Sequence, residues 1–356
     1  MNRIDAFLEL AVKQGGSDLH LVSGEVPRVR VANELQPVPF RVLSATDVDG
    51  FLEEVVPGDQ RARLEAEDGL DVAYVSEVAG RFRATVYKHR SGTAIVMRAI
   101  ASEPPTLESV GLPNVVQQVL ATGKGLVLVT GPTGSGKSTT QAAMVDHVNR
   151  TRRGHVITLE DPIEFLHTHR LSVITQRQIG LHAPTFAEAL RNALREDPDV
   201  ILVGDMRDLE TIHLALSAAE TGALVLGTLH TSGALRTVDR IVNVFSAQRQ
   251  EQTRTMLADC LRMVVSQRLV RKIDGSGRVV AAEVMVNTTA VNAMIRQGNT
   301  HKLHSVLQSG QRSGMQSLDT VLQDLVKREV ISGEEALEHA IDRSLFDRYL
   351  SGENAA

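Results

Sequence analysis

The sequence predicts an α/β fold: a small α+β unit, then a parallel sheet with helices on both faces, then a helical C-terminal region. Three observations predict it. Between residues 126 and 229, strand-length runs that are apolar throughout alternate with amphipathic helices, the pattern of strands buried on both faces. A proline-bearing stretch, Ala101–Pro113, separates that pattern from a shorter and differently patterned N-terminal segment. The balance of 42% hydrophobic and 23% charged residues over 356 positions is that of a globular chain with room for about two domains.

The elements follow in order. A helix is expected over about residues 3–14, then short alternating strands at Asp18–Val22 and Arg28–Val31. Ser44, Thr46 and Asp47 open a second helix with a capping-box pattern. Strands at Leu70–Val75, Arg81–Val86 and Ala94–Ala99 complete a unit spanning residues 1–100. Residues 101–113, with Pro104, Pro105, Gly111 and Pro113, read as a linker, because proline pairs refuse both sheet and helix.

The α/β domain is expected over residues 114–289. Its pattern is strand 126–130, helix 137–150, strand 155–159, helix 185–196, strand 200–204, helix 208–220 and strand 223–229. Thr185 with Glu188 caps one helix, and Gly222 stands where a left-handed C-terminal residue is wanted. From about residue 246 the chain reads as helical through Leu269, interrupted by a β-like run at Arg278–Met285. It then continues as a helical region over residues 290–356.

Composition narrows the function. Net charge −5, a pI near 6.2 and 3% aromatic residues with no Trp argue against a chain built to grip nucleic acid. Its single cysteine, Cys260, excludes an internal disulfide framework and fits a small buried apolar role. The N-terminus lacks the apolar core of a signal peptide, and runs such as Leu126–Val129 and Val200–Val203 are too short to cross a bilayer. A cytoplasmic location is therefore expected, with membrane contact only through a partner.

One motif dominates. Gly131-Pro132-Thr133-Gly134-Ser135-Gly136-Lys137-Ser138, followed by Thr139, matches the Walker A pattern at all eight positions, after an apolar strand and at the start of a helix. Its backbone N–H groups and helix N-terminus make an anion cradle for ATP phosphates. Lys137 is expected on the β- and γ-phosphates and the Ser138 hydroxyl on Mg²⁺.

Three further strands end in polar groups at the same sheet edge. Val200–Val203 runs into Gly204-Asp205, a Walker B arrangement in which Asp205 would hold Mg²⁺ through water or activate the attacking water; Asp208 caps the next helix. Val156–Leu159 ends in Glu160-Asp161, where Glu160 is the better candidate for catalytic support. Gly227-Thr228-Leu229 leads to His230, placed to sense the γ-phosphate or orient the acid.

These residues together resemble the ATPases of the type II/IV secretion superfamily, and within them the retraction ATPases of twitching motility. The likeness runs from Gly16-Ser17-Asp18-Leu19-His20-Leu21 through the Walker A run and the acidic box Thr158–Phe165. It continues through the Walker B segment to the histidine box Gly227–Thr231 with Asp239-Arg240-Ile241. The resemblance implies a PAS-like N-terminal domain and a RecA-like second domain. It also implies a homo-hexameric ring and a pilus machine whose inner-membrane platform protein is a partner. Two N-terminal arginines reach the nucleotide in that family; Arg83 and Arg98 match them by position.

Two departures stand out. The family's Walker B acid is glutamate, and here it is Asp205. The family's helix motif Ala-Ile-Arg-Asn-Leu-Ile-Arg-Glu reads Ala290-Val291-Asn292-Ala293-Met294-Ile295-Arg296-Gln297. An accessory retraction ATPase is an alternative within the family. Assembly and secretion ATPases normally carry a further N-terminal domain and a four-cysteine zinc site, which a one-cysteine chain cannot supply. A nucleic-acid motor finds support only in Arg268-Leu269-Val270-Arg271-Lys272, expected to be the solvated end of a helix.

Overall fold

The structure, a computed structural model, describes residues 2–349 except 32–33, 59, 62–63, 65–68 and 101–102. Ala101 and Ser102 of the expected linker, and 350–356 of the expected C-terminal region, lie outside the described residues. The chain divides into two compact units, Met1–Glu103 and Pro104–Ala356.

In the first unit, α1 (Arg3–Lys13) precedes β1 (Asp18–Val22), β2 (Arg28–Val31), β3 (Glu34–Pro37) and α2 (Ala45–Val55). Then come β4 (Gly69–Ser76), β5 (Gly80–His89) and β6 (Gly92–Ile100). The strands form one sheet in the order β3-β2-β1-β6-β5-β4, with antiparallel neighbours throughout. Alternate residues Leu19 and Leu21, Phe82, Ala84 and Val86, and Ile95 and Met97 point to one face. There they bury against Ile4, Leu8, Val48 and Phe51 of the helices. Ser44 caps α2, its hydroxyl accepting from the Asp47 N–H while the Asp47 carboxylate accepts from the Ser44 N–H. The strand β3 escapes a pattern reading because all four of its residues are exposed; pairing to β2 alone defines it.

The second unit opens with two short helices, α3 (Leu107–Val110) and α4 (Val115–Ala121). The core then alternates: β7 (Gly125–Thr130), α5 (Lys137–Thr151), β8 (His155–Glu160), β9 (Val173–Gln178), α6 (Phe186–Ala193), β10 (Val200–Val203), α7 (Leu209–Thr221) and β11 (Leu224–Leu229). It continues through α8 (Ala234–Asn243), α9 (Ala247–Cys260), β12 (Leu261–Arg271) and β13 (Arg278–Val286). Four helices follow: α10 (Thr289–Gln297), α11 (Leu303–Ser309), α12 (Leu318–Lys327) and α13 (Gly333–His339).

Seven strands make the second sheet in the order β13-β12-β7-β11-β10-β8-β9, parallel except for the antiparallel edge strand β13. Val127, Val129, Leu202 and Leu226 bury against α5 on one face. Leu126, Leu128, Ile157, Ile201 and Val225 bury against α6, α7 and α8 on the other. Burial on both faces is why these strands are apolar throughout. On the outer edge of β13, Gln316 covers Val284, its N–H and C=O both bonding to that residue at 3.0 and 2.9 Å.

One expectation is overturned. The chain is not helical through Leu269: the helix stops at Cys260, and Leu261–Arg271 is an eleven-residue strand. It lies parallel to β7 and antiparallel to β13, so its backbone partners come from over a hundred residues upstream and from the next hairpin arm. Those partners flank it on both sides from Met263 to Ser266, and a local window cannot see them. The basic run Arg268–Lys272 therefore ends a strand, not a helix. Within it, Arg271 is held by Glu335 at 2.7 Å and Glu338 at 3.3 Å.

Candidate functional site

Parallel strands deliver their C-terminal residues to one edge of the sheet, and the edge of the second unit holds a cavity of about 680 Å³. Thr133, Gly134, Gly136, Lys137, Ser138 and Thr139 form one wall; Asp205, Arg207 and His230 form another. Three strands, β7, β10 and β11, thus bring a phosphate cradle, an acid and a histidine together.

The cradle's shape depends on glycine. Gly131 has φ 145°, and a Cβ added there would lie 2.3 Å from the Gln267 carbonyl oxygen and 2.6 Å from Ser135 Oγ. Gly136, at φ 86°, turns the chain into the first turn of α5, leaving N–H groups aimed outward. Lys137 Nζ donates to the carbonyls of Gly131 and Pro132, both at 3.0 Å. Burial pulls the ammonium below the usual lysine value, opposed by the charges of Asp205 and Glu164.

Asp205 emerges at the end of β10, largely buried. Its Oδ2 is ion-paired with Arg207 Nε and lies 3.5 Å from His230 Nε2. Its Oδ1 is buried without a hydrogen-bond partner among the described residues. Asp208 caps α7 as expected, accepting from the Thr211 N–H at 2.8 Å and its hydroxyl at 2.7 Å.

Glu160 lies off the main cavity, in a small adjoining recess of about 50 Å³ that it shares with Ser138, Asp161, Glu164 and His167. Its Oε1 accepts from Thr158 Oγ1 at 2.6 Å and Gln176 Nε2 at 3.2 Å. Burial raises its pKa despite those donors. In the same recess burial drives His167 down to about 4, so it is a neutral imidazole near pH 7.

Arg83 and Arg98 belong to the first unit, on β5 and β6, each against an acid of its own unit. Cys260 is buried and its thiol is pushed up to about 12 by burial, which makes it inert packing.

Sequence reasoning missed three residues. Arg207 follows Asp205 by two positions, which places it beside the acid once the strand ends there. Gln267 underlies the cradle from β12, the strand that local patterning read as helix, and Arg278 lines the cavity from the start of β13, whose β-like run the sequence shows without tying it to the site.

The family profile described as Type II/IV secretion system protein matches residues 2–347. The chain is 45% identical over 339 residues to the type IV pilus retraction ATPase PilT of Pseudomonas aeruginosa, covering 95% of this chain and 98% of that one. It is 46% identical over 314 residues to a twitching motility protein of Neisseria gonorrhoeae, covering 88% and 84%. A crystal structure of the pilus retraction motor PilT with bound ADP superposes with a TM-score of 0.91 at 41% identity, covering 97% of this chain and 99% of that one. A near-complete profile match, close relatives over almost the full length and a shared fold agree: this chain belongs to the family of type II/IV secretion system proteins.

Proposed function

We propose that this chain is an ATP-hydrolysing motor that drives type IV pilus retraction. The observation that carries the reading is the convergence of Lys137, Ser138, Asp205 and His230 on one cavity at the carboxyl edge of a parallel sheet. Lys137, now bonded to two carbonyls, transfers to the β- and γ-phosphates of ATP when they enter. Gly131 to Thr139 cradle those phosphates through backbone N–H groups.

The residues fit Mg²⁺. Ser138 offers a hydroxyl, and Asp205 Oδ1 is a buried carboxylate oxygen with no hydrogen-bond partner among the described residues. When bound with ATP, the ion neutralises charge on the β- and γ-phosphates. Asp205 orients the attacking water, His230 holds the acid and senses the γ-phosphate, and Glu160 supports them from the recess. Arg83 and Arg98 stabilise the transferring phosphoryl group.

The domain assignment behind this reading is a PAS-like domain over 1–100, a linker over 101–113, a RecA-like domain over 114–289 and a helical region over 290–356. Six chains form the ring. Among the described residues no helix is long and apolar enough to cross a membrane. In this reading the motor works through an inner-membrane platform protein of the pilus machine, on its cytoplasmic side. Deletion tests the reading: cells should become over-piliated and unable to twitch, whereas bald cells would overturn it.

A second reading, an accessory retraction ATPase, is favoured by one observation: Asp205 is one methylene shorter than the family's glutamate. Purified protein with no turnover unless a partner motor is added would select it.

A further inference from the structure

Strand β12 touches both halves of the proposed site, on opposite faces of the sheet. Gln267 is fully buried, and its Nε2 donates to the Ser135 carbonyl inside the phosphate cradle at 2.7 Å. The cradle is pressed onto this residue at both ends. A Cβ on Gly131 would lie 2.3 Å from the Gln267 carbonyl oxygen, and one on Gly136 would lie 3.2 Å from its Nε2. The side-chain oxygen Oε1 has no hydrogen-bond partner among the described residues. A buried amide with one satisfied end is costly, which marks the bond it does make as the reason for its position.

The preceding residue points the other way, as successive strand residues must. Ser266 Oγ accepts from the Gly233 N–H at 2.8 Å. Directly opposite Ser266 in the β12–β13 register stands Glu283, also buried, whose Oε1 accepts from the Ala234 N–H at 2.7 Å. These two N–H groups open α8, three and four residues after His230. A further chain runs from the Thr237 hydroxyl to the Gly233 carbonyl at 2.8 Å and to Thr231 Oγ1 at 2.7 Å. The loop that carries His230 is thus anchored at its far end to β12, the strand that props the cradle, and to its neighbour β13.

We infer that Ser266, Gln267 and Glu283 are positioning residues: two adjacent rungs of the β12–β13 ladder that fix the distance between the phosphate cradle and the His230 loop. Gln267 governs how tightly nucleotide is held, and Ser266 with Glu283 governs how well His230 meets Asp205. The inference rests on the nucleotide reading of the cradle given above and adds residues that contact neither nucleotide nor Asp205.

The two faces predict opposite kinetic signatures, measured on the purified full chain. Losing a buried hydrogen bond is worth roughly tenfold, so Gln267→Leu raises the KM for ATP and the Kd for ADP about tenfold with kcat changed less than about threefold. Gln267→Glu, equal in shape, sets an acceptor against the Ser135 carbonyl and raises both further; it answers the question should the leucine variant fail to fold. Glu283→Leu lowers kcat about tenfold and leaves the ADP Kd in place, and Glu283→Gln, which keeps an acceptor for the Ala234 N–H, restores kcat. Folded variants that shift only the melting temperature, or Gln267 and Glu283 variants that move the same parameter, overturn the inference. A Lys137→Ala control separates it from the underlying reading: continued nucleotide binding by that variant would mean that the cradle assignment itself has failed.

Discussion

Arg83 and Arg98 face each other across the β5–β6 ladder, and each guanidinium rests on its own carboxylate: Arg83 on Asp71 at 2.6 Å, Arg98 on Asp18 at 2.8 Å. Two cations directly opposite repel, and the two acids remove that cost. Burial opposes ionisation of Asp18, yet hydrogen bonds from Ser17 and Arg98 outweigh it and hold its pKa below the usual range. Asp71 behaves likewise through Arg83 and Thr85. An arginine that reaches a phosphate must first leave its acid.

This gives the first prediction. Arg98→Ala and Arg83→Ala should each lower kcat by about 1,000-fold, the lower end of the range for an arginine acting on phosphoryl transfer. Asp71→Asn should leave kcat within a few-fold, because the acid only parks Arg83. Steady-state ATPase assays decide it; unchanged kcat in both arginine variants would mean that these residues serve the sheet alone.

Asp205 concerns reach. Its Oδ2 is committed to Arg207 and its Oδ1 has no hydrogen-bond partner among the described residues. Restoring the family's glutamate extends the carboxylate by about one ångström toward the phosphates, and such placement changes rates severalfold or more. Asp205→Glu is expected to raise kcat at unchanged KM. An unaltered rate would show that the acid works only through the metal.

Lys137 is the third. Its ammonium is the cation nearest the cradle's carbonyls, and replacing a charged hydrogen-bonding group there should weaken Mg·ATP binding roughly 10- to 100-fold. Equilibrium binding of a fluorescent ATP analogue to Lys137→Ala reads this directly.

His167 sets a pH dependence. Its pKa falls from 6.5 to about 4 on folding, because burial disfavours the imidazolium more than Asp146 favours it. Between those values the unfolded chain binds the extra proton, so this contribution to stability is complete above about pH 6.5 and is lost as pH falls toward 4. The neighbouring Glu160 has a raised pKa, and it takes up its proton above the usual glutamate range as pH falls. Melting temperatures of the parent chain should drop across that window, and His167→Gln should flatten the drop. Identical slopes for the two proteins would refute it.

What the sequence made legible was whatever its own neighbours determine. The cradle is readable because Gly131, Gly134, Gly136, Lys137 and Ser138 must stand at fixed spacing within one turn. The strands β7, β8, β10 and β11 are readable because burial on both faces leaves them apolar throughout. Ser44 and Asp208 announce their helices by capping chemistry that spans three residues. The strand β12 was illegible for the converse reason: β7 and β13, not its own periodicity, define it. With it went Gln267; Arg278 stood in a run read as β, but no spacing ties it to the cradle. The ion pair of Asp205 with Arg207 was implicit in the strand ending there, but only the geometry shows that the acid is engaged.

The closed margin at β13 has a consequence for how copies of this chain can join. Gln316 occupies both backbone groups of Val284, and its Nε2 donates to the Ala282 carbonyl at 2.8 Å, so a neighbour's strand cannot pair with β13 at those two residues. Copies meeting at that point of the flank would dock through side chains. Such surfaces can slide and separate in small steps, whereas a shared backbone ladder would have to break many bonds at once.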